Sequence, residues 1–170
     1  EHTVLRMDIF DAIRGRSFDV AYFDPPYGSN NEKMPPSRVR YGAYYHLWKT
    51  VILNGKPQLF GKAGRREDSR DECCSSLFEE YRKDVKGRYI AIDAIDQLIR
   101  DVQSDYVLLS YSSGGRATKQ ELMDSLSSNG TIETMHAIDY KKNVMAGMRW
   151  TNEWINSDVK NQEYLFLLKK

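Results

Sequence analysis

Two consecutive prolines, Pro25 and Pro26, stand directly behind the apolar run Asp19–Phe23 in the stretch DVAYFDPPYGSNN. Neither proline has a backbone N–H to give to a ladder, and each holds φ near −65°. A strand over residues 19–23 therefore has to stop at Asp24. The run itself is almost continuously apolar, as in a strand buried on both faces of a parallel sheet. Beyond the strand the chain makes a stiff corner whose carbonyls are free to accept hydrogen bonds. The two carboxylate oxygens of Asp24 stand before this corner and the ring of Tyr27 stands after it.

The remaining patterns place this corner in an α/β domain. Thr3–Met7 (TVLRM) reads as a short strand, and Asp105–Tyr111, Thr131–Ile138 and Glu163–Lys169 read as further strands. Tyr44, Leu47, Trp48, Val51 and Ile52 recur at helical spacing, as do Ile92, Ile95, Leu98, Ile99 and Val102. Thr118–Glu121 (TKQE) has the form of a capping box, and Asn129-Gly130 supplies a stop, which predicts a helix over Thr118–Ser128. A helix is also expected over Ser75–Val85. Strands alternating with helices predict one domain with a largely parallel sheet. The last two strands, with no helical stripe between them, predict a long antiparallel hairpin at one side. Gly28–Gly42 and Asn54–Glu72 read as loops, and loops of this length are usually functional or mobile. In open α/β sheets ligands bind outside the carboxyl ends of the strands, which is where Asp24–Tyr27 falls.

Composition excludes several classes. With 25 basic and 24 acidic residues the net charge is +1, so the chain as a whole has no excess that would hold a polyanion. Contact with nucleic acid would have to come from local clusters. Cys73 and Cys74 are neighbours and form no Cys-x-x-Cys, which fits a reduced, cytoplasmic protein without a disulfide. His2, His46 and His136 lack metal-ligand spacing, so no metal is expected. No apolar run approaches the roughly 18 residues of a membrane span, and no membrane partner is expected.

A rigid cluster of acceptors beside an aromatic plate suits a planar ring bearing an amino group. The ring would stack on Tyr27, and the amino hydrogens would point at Asp24 and the Pro25 carbonyl. A Pro-Pro turn with an acidic cap and an unrelated tyrosine is the plain alternative for the same residues.

Asp-Pro-Pro-Tyr after an apolar strand resembles the catalytic motif of amino-methyltransferases that use S-adenosylmethionine, and the acid-first form resembles the N6-adenine DNA methyltransferases. VLRMDIF resembles the preceding strand of that family, with Asp8, Ile9 and Phe10 matching the end that lies near the cofactor's adenine. YGAYYHLWKTV and GKPQLFGKAGRR resemble the segments after the catalytic loop in the restriction-modification type. VLLSYSS and QEYLFLLK resemble two later strands, so the likeness covers most of the 170 residues. It implies a partial, Rossmann-like methyltransferase sheet, mostly parallel, with a C-terminal antiparallel hairpin. It further implies methyl transfer from S-adenosylmethionine to the N6 amino group of an adenine flipped out of DNA. Asp24, Pro25, Pro26 and Tyr27 would be the catalytic set, with Tyr27 stacking on the base and Asp24 also touching the cofactor. No covalent intermediate is needed, which leaves Cys73 and Cys74 without a catalytic role.

Lys62, Arg65 and Arg66 lie in GKAGRR, where phosphate contact beside the flipped base and a solvated loop both account for them. For Lys141, Lys142, Arg149 and Trp150, surface charge is the plainer account than contact with DNA. Tyr44, in the helical stripe, is expected in the core, and His46 as a packed or surface residue.

The family's Phe-x-Gly-x-Gly cofactor loop is missing. The nearest glycine pair, in Ser112–Arg116 (SSGGR), stands after the wrong strand. Residues 1–170 are therefore expected to be the catalytic-motif portion of a methyltransferase domain, without its glycine-loop and target-recognition segments. A preceding segment or another chain would be the partner that supplies them. Two rival expectations remain: an RNA adenine methyltransferase, because the motif does not report the sugar, and a non-catalytic fragment that binds nucleic acid or a partner.

Overall fold

The computed structural model describes residues 2–30, 41–70, 76–140 and 161–170. In chain order the elements are α1 (Ile9–Ile13), β1 (Ser17–Phe23), α2 (Tyr41–Tyr44), α3 (His46–Leu53), β2 (Leu59–Phe60), β3 (Arg65–Arg66), α4 (Ile90–Asp101), β4 (Gln103–Ser112), α5 (Lys119–Ser127), β5 (Thr131–Tyr140) and β6 (Asn161–Lys169). Short 3-10 turns cover Glu67–Ser69 and Leu77–Glu79.

The main sheet has the order β1-β4-β6-β5. β1 runs parallel to β4, with Phe23 opposite Leu109. β6 slots antiparallel between β4 and β5, which gives the expected C-terminal hairpin of an α/β fold. Among the described strands β1–β4 is the one parallel pair, so the main sheet is mostly antiparallel and not largely parallel as the sequence predicts, because β6 returns between β4 and β5. A two-stranded ribbon, β2–β3, stands apart.

One face of the sheet carries the core. Alternation places Ala21, Phe23, Val107, Leu109, Phe166 and Leu168 on that face, all buried. The stripe Ile92, Ile95, Leu98 and Ile99 of α4 and Leu122 and Leu126 of α5 close over them. Each such side chain contributes roughly 1.5–3 kcal/mol relative to leaving it in water. The capping box of α5 forms as expected: Thr118 accepts from Glu121 N at 3.2 Å, and Glu121 accepts from Thr118 N at 2.9 Å. The end of α4 is closed by Lys170, whose Nζ donates to the carbonyls of Ile99, Arg100 and Val102 at 2.6–3.0 Å.

Several expectations are corrected. Thr3–Met7 forms no ladder and is exposed, because no strand of the described residues pairs with the outer edge of β1 for it to join. β1 is buried on one face only; Val20 and Tyr22 remain 56% and 57% exposed on the other. Residues 76–85 are not helical beyond the turn at Leu77–Glu79. There the Glu80 carboxylate takes the backbone N–H groups of Tyr81 and Arg82, and Asp84 takes those of Lys86 and Arg88, so side chains hold amides in a conformation other than a helix. The stripe of α3 does form a helix, yet Leu47, Trp48, Val51 and Ile52 are all exposed. Residues 54–72, read as a loop, hold the β2–β3 ribbon. Cys73, Cys74, Lys141, Lys142, Arg149, Trp150 and the Tyr44 side chain lie outside the described residues. No helix among the described residues is long and apolar enough to cross a membrane.

Candidate active site at the carboxyl end of β1

β1 stops at Phe23, as the prolines require, and Asp24 emerges exposed at its end. Pro25 is buried, while Pro26 and Tyr27 are half-buried. The Tyr27 hydroxyl lies 2.6 Å from Asp24 Oδ1 and 3.1 Å from Glu163 Oε1. Ser110 Oγ donates to the same Glu163 oxygen at 2.7 Å. The Tyr27 ring packs edge-on against Tyr111, with centroids 5.1 Å apart and planes 66° apart. Burial, the hydrogen bond to Asp24 and the nearby Glu163 charge together hold the Tyr27 phenol well above its ordinary pKa. The hydroxyl is thus a firm donor between two carboxylates.

The exit from the corner is clamped by the loop after β4. The Tyr27 carbonyl accepts from Arg116 N at 3.0 Å and from the Tyr111 hydroxyl at 3.2 Å. Arg116 Nη1 donates to Ser29 O at 3.1 Å, and Asn30 N donates to Gly114 O at 3.0 Å. Gly28 sits at φ +63°, and a Cβ there would come within 2.4 Å of Arg116 Nε. A Cβ on Gly115 would come within 2.5 Å of the Tyr111 ring. Gly115 of SSGGR thus serves close packing against Tyr111.

A cleft of about 560 Å³ opens in front of Asp24. Ile9, Phe10, Phe23 and Leu98 give it apolar walls, and Asp8, Asp24 and the two prolines also line it. The sequence placed Asp8, Ile9 and Phe10 beside Asp24 only through a family likeness; the fold brings all four to one cavity. Asp8 also caps α1, accepting from Phe10 N at 2.9 Å. Phe10 stacks on Phe78 with centroids 6.0 Å apart. A larger, shallower hollow of about 730 Å³ lies at the other end of β1, along Ser17–Val20 and Asp105, and includes no part of the corner.

No family model matches the chain, and no solved structure matches it. Among curated proteins, the type II methyltransferase M.NlaIII of Neisseria lactamica is 28% identical over 169 residues, 99% of this chain and 43% of that protein. The type II methyltransferase M.FokI of Planomicrobium okeanokoites is 27% identical over 154 residues, 89% of this chain and 20% of that one. Modification methylase LlaI of Lactococcus lactis subsp. lactis is 31% identical over 112 residues, 66% of this chain and 15% of that one. Its relatives are type II modification methyltransferases. The chain spans less than half the length of each.

The β2–β3 ribbon and its turn carry the basic residues Lys62, Arg65 and Arg66. Lys62 is exposed in its turn, and Arg65 lies over the Phe60 ring at 4.7 Å, with Arg70 over the same ring at 4.4 Å. Arg66 is buried: Nε and Nη2 bond the two Asp68 oxygens at 2.9 and 3.0 Å, and Nη1 reaches Thr50 at 3.3 Å. Lys49 also reaches Asp68, at 2.8 Å. Arg66, then Lys49, hold the Asp68 carboxyl well below the usual carboxylate range. Arg66 therefore docks the ribbon on α3 and drops out of the expected phosphate-contacting set, because its guanidinium faces inward. Tyr41 and Tyr45 form an exposed stacked pair, 5.4 Å between centroids, and the Tyr41 phenol is pushed up by burial first and then by Tyr45, Asp24, Glu79 and Glu163.

Sequence reasoning missed Glu163, Ser110, Tyr111 and Arg116. Glu163 and Ser110 do leave a trace, as polar residues at the mutually adjacent ends of two apolar strands. Only the antiparallel register, with Ser112 opposite Glu163, turns that trace into a contact beneath Tyr27. Among the described residues no three His, Cys, Asp or Glu side chains gather as metal ligands would.

Proposed function

We propose that this chain carries the catalytic corner of a DNA methyltransferase that moves a methyl group from S-adenosylmethionine to the N6 amino group of a flipped-out adenine. One observation carries the reading: Asp24, Pro25 and Pro26 emerge from β1 onto a cleft that also gathers Asp8, Ile9 and Phe10. The cleft suits the adenosyl part of the cofactor. Its walls are apolar enough to pack a purine, and Asp8 and Asp24 offer acceptors for hydroxyl and amino hydrogens. Bound there, the cofactor would supply an electrophilic methyl group.

The chain's own residues act on the amino group. That nitrogen is a poor nucleophile because its lone pair is delocalised into the ring. Asp24 and the Pro25 carbonyl accept its hydrogens and favour a tetrahedral nitrogen whose lone pair points outward. The prolines fix both acceptors before substrate arrives, so little reorganisation is needed at the moment of transfer. Extruding the base costs roughly a few kcal/mol. Stacking on Tyr27 offsets roughly 1–3 kcal/mol of that. Lys62 and Arg65, on the ribbon, are the residues proposed to touch phosphate. The rest of the methyltransferase, in a longer chain or a partner chain, is proposed to supply the methionine-side glycine loop.

The test is Asp24→Ala in the whole protein. Asp24 is exposed, so circular dichroism should be unchanged. Formation of N6-methyladenine in DNA, read after nuclease digestion, should fall by about 10²–10³ or more. Turnover near the wild-type level would overturn the role of Asp24, and methylation of RNA in preference to DNA would move the substrate class.

A further inference from the structure

The corner contains a conflict that its motif does not explain. The Tyr27 hydroxyl sits 2.6 Å from Asp24 Oδ1, so the proposed acceptor already holds a hydrogen bond within the chain. A phenol has one hydrogen to donate. When an amino group arrives at that same oxygen, the phenol hydrogen competes with it for Oδ1. A second acceptor lies within reach on the other side: Glu163 Oε1, 3.1 Å from the same hydroxyl. Glu163 is half-buried on β6 and is fixed by Ser110 Oγ at 2.7 Å. The Tyr27 ring, edge-packed on Tyr111 and tied through its carbonyl, need not move; only the O–H bond has to rotate.

We propose that Glu163 is a positioning residue for the corner: it takes the Tyr27 hydrogen bond when Asp24 turns to the substrate's amino group, and so frees Asp24 without leaving the phenol unpaired. The proposal rests on the reading of the chain as an amino-methyltransferase. No proton leaves the phenol in this exchange; one hydrogen bond replaces another. Keeping an acceptor for this half-buried hydroxyl favours substrate capture, because the hydrogen bond kept adds to the stability of the bound state. The role belongs to the antiparallel strand β6, far from the corner in sequence, and to the polar pair Ser110–Glu163 at the strand ends.

The logic separates substrates by a single group. Adenine brings the amino hydrogens that displace the phenol from Asp24, whereas purine, which lacks the amino group, does not. Equilibrium binding by the whole protein can therefore be compared for duplexes carrying adenine or purine at the methylated position. Wild-type protein should favour adenine. Glu163→Gln, which keeps shape but weakens the acceptor, should weaken adenine binding about tenfold and purine binding less than twofold. Tyr27→Phe removes the shared hydrogen, so adding Glu163→Gln to it should change nothing further. Ser110→Ala, which loosens the carboxylate without altering its charge, should show a smaller loss with the same preference for adenine.

Equal losses for adenine and purine, or a full Glu163→Gln effect in the Tyr27→Phe background, would overturn the role of Glu163 while the methyltransferase reading stands. A wild-type protein that neither distinguishes the two bases nor methylates DNA would sink both.

Discussion

The two faces of the main sheet are built from the same strands and meet opposite fates. On one, Phe23, Val107, Leu109, Phe166 and Leu168 lie sealed under α4 and α5. On the other, Val20 and Tyr22, alternate neighbours of Ala21 and Phe23 in β1, are more than half exposed. An edge strand with one solvated face would ordinarily read apolar-polar-apolar. β1 instead reads apolar on both sides from Val20 to Phe23. Its composition suits a sheet covered twice, while the described residues cover it once. The same contrast recurs at α3, a helix whose stripe Leu47, Trp48, Val51 and Ile52 forms and then faces water. Patterning decides which segments become strands and helices; how many of their faces are buried depends on what else is folded beside them.

The sharpest way to test this contrast is to damage the covered face. Phe166 is fully buried between the flanking strands and helices. Phe166→Ala should destabilise residues 1–170 by about 3–5 kcal/mol, since it removes a ring and leaves a cavity. Urea unfolding should show a large fall in midpoint with an unchanged slope. A loss under about 1 kcal/mol would mean that the covered face is not the core.

The covered face was also the more legible one. The Thr118 capping box, the α4 stripe and the strands around Val107 and Phe166 are local patterns, and each formed where the residues placed it. The failures have a common physical origin. Leu77, Phe78, Tyr81 and Val85 carry a helix-like spacing, but Glu80 and Asp84 capture nearby amides and the segment turns instead. Thr3–Met7 has strand composition and, among the described residues, no neighbour to pair with. For the site, the Asp24–Tyr27 corner was visible because prolines act locally. Glu163 and Arg116 were not, because their contacts span 136 residues in one case and 87 in the other. Register and loop docking decide such contacts, and neither is written in a short window.

A smaller effect tests what holds the lid of the covered face. α5 contributes Leu122 and Leu126 to the core, and its start is fixed by the Thr118 side chain accepting from Glu121 N. Thr118→Ala should cost about 1 kcal/mol, and Thr118→Ser should restore most of it. If Thr118→Ala cost as much as Phe166→Ala, the helix start would be carrying the packing, and the contrast between faces would lose its basis in buried area.

The smallest expected effect bears most directly on the open face. Val20 points away from the core, is 56% exposed and lies outside the corner. Val20→Thr exchanges a methyl group for a hydroxyl of nearly the same size. In water that exchange is nearly free, so residues 1–170 should change by no more than about 0.5 kcal/mol in urea unfolding. The same exchange becomes costly where the hydroxyl is buried without a partner, at roughly 1–3 kcal/mol. Val20→Thr is therefore a gauge of cover: a small value in residues 1–170 and a larger one in a longer chain or complex that contains them would show that another segment lies on this face. A cost above about 1 kcal/mol in residues 1–170 would show instead that the face is already shielded, and the asymmetry of the two faces would fail at the residue chosen to represent it.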